Sequence, residues 1–338
     1  MTIEIDEWTG CYPSNWKGVI VPEAMTHPAK FSSRLIQRIY KHLWDEGWVK
    51  LGDNVLDPFG GVALGAMNAM LYRLNWYGIE LEEKFWKLGN ADIEKWRKDF
   101  KSWPALGDAQ LLHGDSRKLL DVLKASGVSV ALSSPPYETG GHHKHQVDSY
   151  NKNGGGQFTK DNSGYGAGDN MGMDAALSSP PHADCGARDM GGQQRGGAKH
   201  LMDQKGDHYN RDNPDNLGNV NADDFWLAAR QIVEQVYIAL RPGGHAVWVV
   251  KDYVKNKERL PFCDQWRQLC EAVGFVTLHE HHALLVRNKR TQIDLEGNHH
   301  TTQSESKSFF RRLAEKKGSP RIDYEVVLCM VKGDGPKS

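Results

Sequence analysis

Apolar residues recur at helical spacing in "SSRLIQRIYKHLWDEG", where Leu35, Ile36, Ile39, Tyr40 and Leu43 predict an amphipathic helix. "DNVLDPFGG" follows as a short apolar strand running into a glycine turn, and "VALGAMNAMLYRL", rich in Ala, Leu and Met, reads as the next helix. "WYGIEL" is a second strand, followed by the helix "EEKFWKLGNADIEKWRKDF". "AQLLHGDS" is a third strand, "RKLLDVLKAS" a helix, and "VSVALSS" a fourth strand. Strands alternating with helices of this length predict a parallel sheet covered on both faces.

From about Thr139 to Asn221 the periodicity stops, and the chain is rich in Gly, Asn, Asp and His. A stretch that long without regular structure is uncommon inside a domain. The pattern resumes with the helix "ADDFWLAARQIVEQVYIAL", the turn "RPGG" and the buried strand "HAVWVVK". An amphipathic helix "FCDQWRQLCEAVG" and two strands, "FVTLHEHHALLV" and "YEVVLCMV", complete the series. The organisation expected is an N-terminal extension over 1–26, one α/β domain assembled from 27–138 and 222–332, and a Gly-rich insert over 139–221.

Composition narrows this picture only a little. In 338 residues, 42 Lys and Arg almost cancel 43 Asp and Glu, so any surface for a polyanion must be a local patch. No apolar run approaches a membrane span of about 20 residues. The acidic start "MTIEIDEWTG" lacks the apolar region of a signal peptide. Five scattered cysteines form no CxxC pair, which fits reduced thiols. A cytoplasmic protein without a membrane partner is expected.

"DPFGG" stands where a strand meets a helix, so its glycines let the backbone approach a ligand at a helix N-terminus. Glu80 ends the next strand about twenty residues on, where an acid can accept both hydroxyls of a ribose. Asp115, in "HGDS", ends the third strand and can meet an adenine amino group. Asp57 would repel a pyrophosphate but suits a ligand bearing an ammonium.

With these residues in view, the chain resembles the DNA amino-methyltransferases, which methylate N4 of cytosine or N6 of adenine. Their signature D-P-F-x-G-x-G is matched at Asp57, Pro58, Phe59 and Gly61 and departs at Ala63, a mild change if that residue starts a helix. Their second hallmark, [S/D/N]-P-P-[Y/F/W], is matched by Ser134, Pro135, Pro136 and Tyr137. The upstream cofactor motif is similar to "THPAKF", with His27, Lys30 and Phe31.

The resemblance implies a Rossmann-like, doubly wound, seven-stranded and mostly parallel sheet, S-adenosyl-L-methionine as cofactor, and double-stranded DNA as partner. A cognate restriction endonuclease is a further partner it implies. The Ser134 hydroxyl and the Pro135 carbonyl would accept hydrogen bonds from the target amino group. Pro136 would fix that carbonyl's direction, and Tyr137 would stack on a base taken out of the helix. A leading Ser favours cytosine N4. Adenine N6 is the alternative, and RNA or protein methylation, or an inactive DNA-binding relic, are more distant ones.

Leu-Ser-Ser-Pro-Pro occurs twice, the second time as "AALSSPPHADCG" from Ala175 to Gly186. Only one strand can lie beside the first strand of the sheet, so only one copy can project into the crevice. The first copy has the longer apolar lead and ends in Tyr137. It is therefore expected to hold the site, with Ser179 and His182 part of a DNA-reading loop. Arg188 and Arg195 of the insert, and Arg311 and Arg312 of "KSFFRRLAEKKGSPR", are candidate DNA contacts. The clusters "HHKH", "HADC" and "HEHH" show no second clean ligand pair. No metal is expected, and the histidines are read as solvated or DNA-facing.

Overall fold

A computed structural model describes residues 5–12, 16–27, 30–123, 175–178, 217, 222–255, 257–293, 299–305, 315–316 and 318–333. The strands are β1 (Ile5–Trp8), β2 (Asn54–Asp57), β3 (Asn75–Glu80), β4 (Ala109–His113), β5 (Ala175–Ser178) and β6 (His245–Val250). They continue with β7 (Tyr253–Lys255), β8 (Glu258–Leu260), β9 (Phe275–Leu284), β10 (Val286–Ile293), β11 (His299–Glu305) and β12 (Tyr324–Lys332). The α-helices are α1 (Ser33–Asp45), α2 (Leu64–Leu71), α3 (Glu83–Asp99), α4 (Leu119–Leu123), α5 (Ala222–Ala239) and α6 (Phe262–Val273).

Among the described residues, eight strands form one sheet in the order β1-β9-β12-β6-β5-β2-β3-β4. Only β12 runs against the others, pairing antiparallel with both β6 and β9. The doubly wound, Rossmann-like α/β architecture is therefore present, with one strand more than the seven expected. The pairs β10-β11 and β7-β8 are separate hairpins.

Alternation along β9 shows that both faces are covered. Glu280 meets Arg267 of α6, whereas His279 and His281 on the other face meet His42 of α1. Helix α1 buries Leu35, Ile36, Ile39, Tyr40 and Leu43, the residues its period predicts. Helix α2 is buried from Leu64 to Met70, which explains why its sequence shows no polar face. The central strand β6 is buried from Ala246 to Val250, as a strand covered on both sides should be. Trp248 of β6 packs edge-on to Trp266 of α6, with ring centroids 5.4 Å apart. Full burial of each such aliphatic or aromatic side chain contributes roughly 1.5–3 kcal/mol.

Two expected boundaries are corrected. The residues taken as an N-terminal extension belong to the domain: β1 pairs in parallel with β9, and Trp8, Cys11, Trp16, Ile20 and Ala24 are core residues. Hydrogen bonds stitch this segment down. The Trp16 Nε1–H donates to the Phe31 carbonyl at 2.7 Å, Trp96 Nε1–H to the Val19 carbonyl at 2.8 Å, and Val21 N–H to Asp92 Oδ1 at 2.6 Å. The second correction lies inside 139–221, where Ala175–Ser178 is a strand of the main sheet. Among the described residues no helix is long and apolar enough to cross a membrane.

Candidate active site

Four parallel strands end along one edge of the sheet: β2 at Asp57, β3 at Glu80, β4 at His113 and β5 at Ser178. From β2 the sheet continues to β3 and β4 on one side and to β5 and β6 on the other. The switch point beside β2 is where open α/β sheets form a ligand crevice.

Backbone donors shape the turn out of β2. Asp57 is buried, and its Oδ1 accepts from the Phe59 N–H at 3.0 Å. Gly60 N–H donates to the Ile79 carbonyl at 2.7 Å, which ties the turn to the end of β3. Gly61 N–H donates to Glu80 Oε2 at 2.9 Å, and Glu82 N–H to Glu80 Oε1 at 2.8 Å. Burial pushes the Glu80 carboxyl up to about 7, against the pull of these donors. The Leu81 N–H acts on the same carboxylate; with about two acceptor sites per oxygen, part of the acceptor capacity of Glu80 is left for a ligand hydroxyl.

The glycine turn is held from two sides. Gly61 has φ +54°, and a Cβ there would stand 3.2 Å from Nε2 of the buried His27. His27 itself packs edge-on to Phe85 of α3, with ring centroids 4.5 Å apart. On the α3 side, a Cβ at Gly89 would stand 3.2 Å from the Gly61 carbonyl oxygen and 2.4 Å from Leu111 Cδ2. Glycine at 89 is what lets α3 lie against the turn.

Ala63 brings a correction. It does not begin α2 in a right-handed conformation but precedes it at φ 59°, ψ 27°. That left-handed conformation costs a non-glycine residue about 1–2 kcal/mol, so replacing the signature's last glycine is not mild.

Asp115 accepts from the Arg117 N–H at 2.9 Å and pairs with the Arg117 guanidinium at 2.7 Å, capping a short 3-10 turn over Ser116–Lys118. The buried Ser116 hydroxyl donates to the Pro58 carbonyl, joining the loops after β2 and β4. Nothing in the sequence singles out Ser116 except its place after Asp115 in "HGDS". Phe59 is partly buried against the core. Lys30 and Phe31 serve the loop before α1. Lys30 Nζ donates to the Met25 carbonyl at 2.8 Å, and Phe31 is a core residue.

The sheet position beside β2 is held by β5. Val55 pairs with Ala175 and Leu56 with Ala176, while Leu177 and Ser178 pair with Val247 and Trp248 of β6. The expectation that the second Ser-Pro-Pro lacks a slot is thereby corrected: Ser179, Pro180, Pro181 and His182 follow directly from the last residue of β5. Ser134, Pro135, Pro136, Tyr137, Ser179, His182, Arg188, Arg195, Arg311 and Arg312 themselves lie outside the described residues, as does the stretch 128–134. The histidines of β9 are also corrected. His281 is 7% exposed and faces His42, not solvent.

The geometry thus brings together His27, Gly61 and Glu80, sets Asp57 at the end of the neighbouring strand, and links Pro58 to Ser116 beside Asp115. Carboxylates at strand ends around such a turn accept hydrogen bonds from hydroxyl and amino groups and disfavour phosphate.

No family model matches the chain. No curated protein matches it either. Solved structures similar to it include TrmN from Thermus thermophilus, at 14% identity and a TM-score of 0.42, over 92% of this chain and 52% of that one. The precorrin-6y C5,15-methyltransferase from Geobacter metallireducens is similar at 10% identity and TM-score 0.37, over 95% of this chain and 100% of its own. An arsenic(III) S-adenosylmethionine methyltransferase from Chlamydomonas reinhardtii follows at 12% identity and TM-score 0.36, over 85% and 65%. The chain thus spans about half the length of the Thermus protein. TM-scores this low bear no weight for function, and the fold class stands on the strand order itself.

Proposed function

We propose that the chain is an S-adenosyl-L-methionine-dependent DNA methyltransferase acting on an exocyclic amino group, cytosine N4 in the first instance and adenine N6 as the alternative. The observation that carries the reading is a juxtaposition at one sheet edge. Asp57 and Glu80 end β2 and β3, while β5 on the other side of β2 leads straight into Ser-Pro-Pro. A cofactor with an ammonium and a ribose fits these acceptors, because the turn is acidic and the Glu80 carboxylate has acceptor capacity left.

In this reading Asp57 takes the ammonium, Glu80 the ribose hydroxyls, and Asp115 the adenine amino group. His27 and Gly89 hold the turn in its shape against β3 and α3. The cofactor, when bound, supplies an electrophilic methyl group on a sulfonium. The Ser179 hydroxyl and the Pro180 carbonyl accept hydrogen bonds from the target amino group and draw its lone pair out of the ring. Pro181 fixes the direction of that carbonyl. His182 stands where the aromatic residue of the motif stands and stacks on the extruded base. Assigning these roles to the second copy follows from β5. The leading Ser, common to both copies, is what favours cytosine N4.

The test is transfer of a radiolabelled methyl group from S-adenosyl-L-methionine to duplex DNA, RNA and protein in parallel, followed by nucleoside analysis. Label in N4-methylcytosine of DNA is expected. Label confined to RNA or protein, or cofactor binding without transfer to DNA, would overturn the reading.

A further inference from the structure

On the flank of the sheet away from the glycine turn, three imidazoles converge. His279 and His281 alternate along β9 and so share a face, and α1 crosses that face with His42 near its C-terminal end. His42 Nε2 lies 3.3 Å from His281 Nε2 and 3.5 Å from His279 Nδ1, and all three ring nitrogens fall within 4.8 Å of one another. With metal–nitrogen bonds of about 2.0–2.1 Å, the edge of a tetrahedral site is about 3.3–3.4 Å. The two measured separations match that edge.

Protons alone do not satisfy this arrangement. The neutral His42 Nε2 carries either one N–H or one lone pair, so it makes one good hydrogen bond, yet two imidazole nitrogens face it. A single cation at the centre would engage all three lone pairs.

The surroundings suit a cation held by imidazoles. Asp6 Oδ2 lies 3.6 Å from the far nitrogen of His281, too long for a hydrogen bond but within Coulomb reach, and Trp8 Nε1–H holds that carboxylate at 2.9 Å. Glu46 Oε1 lies 4.0 Å from the far nitrogen of His42. At these distances the two carboxylates act through charge, favouring a cation between the rings. Trp8 stacks on His281 at 4.3 Å and Trp48 packs edge-on to His42 at 5.3 Å, which restrains both rings. The positive groups nearby are engaged: Arg38 lies over the Trp8 ring at 5.1 Å, and Lys41 pairs with Asp45 at 2.5 Å. A cleft of about 350 Å³ beside the rings leaves room for a fourth ligand.

We propose that His42, His279 and His281 bind one divalent transition-metal ion of the zinc class, with water as fourth ligand. An all-imidazole set selects such an ion over magnesium or calcium, which take oxygen ligands. The site lies four strand spacings from β2, roughly 19 Å at about 4.8 Å each, so its role is to pin α1 to β9 and, through Trp8 stacked on His281, to β1.

The experiment uses the full chain, stripped with EDTA, dialysed and titrated with Co²⁺ at pH 7.5. One Co²⁺ per chain should bind with the intense visible d–d absorption of a four-coordinate site, be displaced by Zn²⁺, and raise the Tm. His42→Gln and the half-buried His279→Gln should each weaken binding by at least about 100-fold, beyond the 10–100-fold that losing an outer partner costs. Should His42→Gln fail to fold by circular dichroism, His279→Gln decides. Absence of the d–d bands, or bands that persist in the folded variants, would overturn the proposal.

Discussion

The two flanks of this sheet both bury ionisable side chains, and they do so by opposite means. Beside β2 and β3 the polypeptide answers its own charges: Asp57 accepts from Phe59, and Glu80 from Gly61 and Glu82. Beside β9 the ring nitrogens of His42, His279 and His281 meet one another, and no backbone donor stands among the contacts that bring them together. The first arrangement is preorganised, leaving spare acceptor capacity for a ligand's hydroxyls. The second leaves a demand that one cation meets. Buried polar groups carry information in proportion to how incompletely the chain satisfies them.

Variants at either flank separate the two sites. On cofactor binding the largest effect is expected from Asp57→Ala, which removes a charge-assisted acceptor and should weaken S-adenosyl-L-methionine binding by about 10–100-fold in calorimetry. Co²⁺ binding should be unchanged in that variant, whereas His42→Gln should lose Co²⁺ and keep cofactor affinity within about twofold. Cross-talk between the two would break the comparison.

Glu80→Gln should come next. Turning one acceptor oxygen into an amide donor opposite a backbone N–H costs about 1–3 kcal/mol. The variant also carries a pH signature. Because the folded Glu80 titrates near 7, above its ordinary carboxylate value, the folded state binds the extra proton between these values. Its contribution to stability is fully present below pH 4.5 and is lost as pH rises through about 7. Cofactor affinity runs the other way: hydroxyl donors favour the ionised carboxylate, so binding should weaken as pH falls through about 7. Tm and affinity measured against pH should both lose this dependence in Glu80→Gln.

Two backbone substitutions give smaller effects of opposite sign. Gly61→Ala places a Cβ against His27 at φ +54° and should cost about 1–2 kcal/mol in chemical denaturation. Ala63→Gly relieves a left-handed alanine at φ 59° and should gain about 0.5–1 kcal/mol.

The central strands and helices were legible in the sequence because burial dictated their period. Leu35 to Leu43 could only be one face of a helix, and "NVLD" and "YGIE" ran into turns. Strand β1 was hidden because an edge strand leaves three of its four residues exposed and looks like an acidic tail. Strand β5 was hidden for a different reason. "AALS" has weak strand preference and only four residues, and its place comes from partners about 70–120 positions away in the chain, in β2 and β6. The carboxylates of the site followed from their positions at strand ends. The triad of histidines did not, since His42 and His281 meet only through packing of α1 on β9. Left-handed Ala63 shows the same limit on a single residue: the motif departure was visible, but its energetic sign required the backbone angle.

The most direct test of the assignment built on β5 is single-turnover methyl transfer to duplex DNA by Ser134→Ala and Ser179→Ala, each saturated with labelled S-adenosyl-L-methionine. The Ser179 variant should bind the cofactor normally and lose about 10²–10³-fold in rate, the scale of losing one hydrogen bond to the reacting group, while the Ser134 variant transfers at close to the wild-type rate. Turnover abolished by Ser134→Ala and preserved in Ser179→Ala would contradict it.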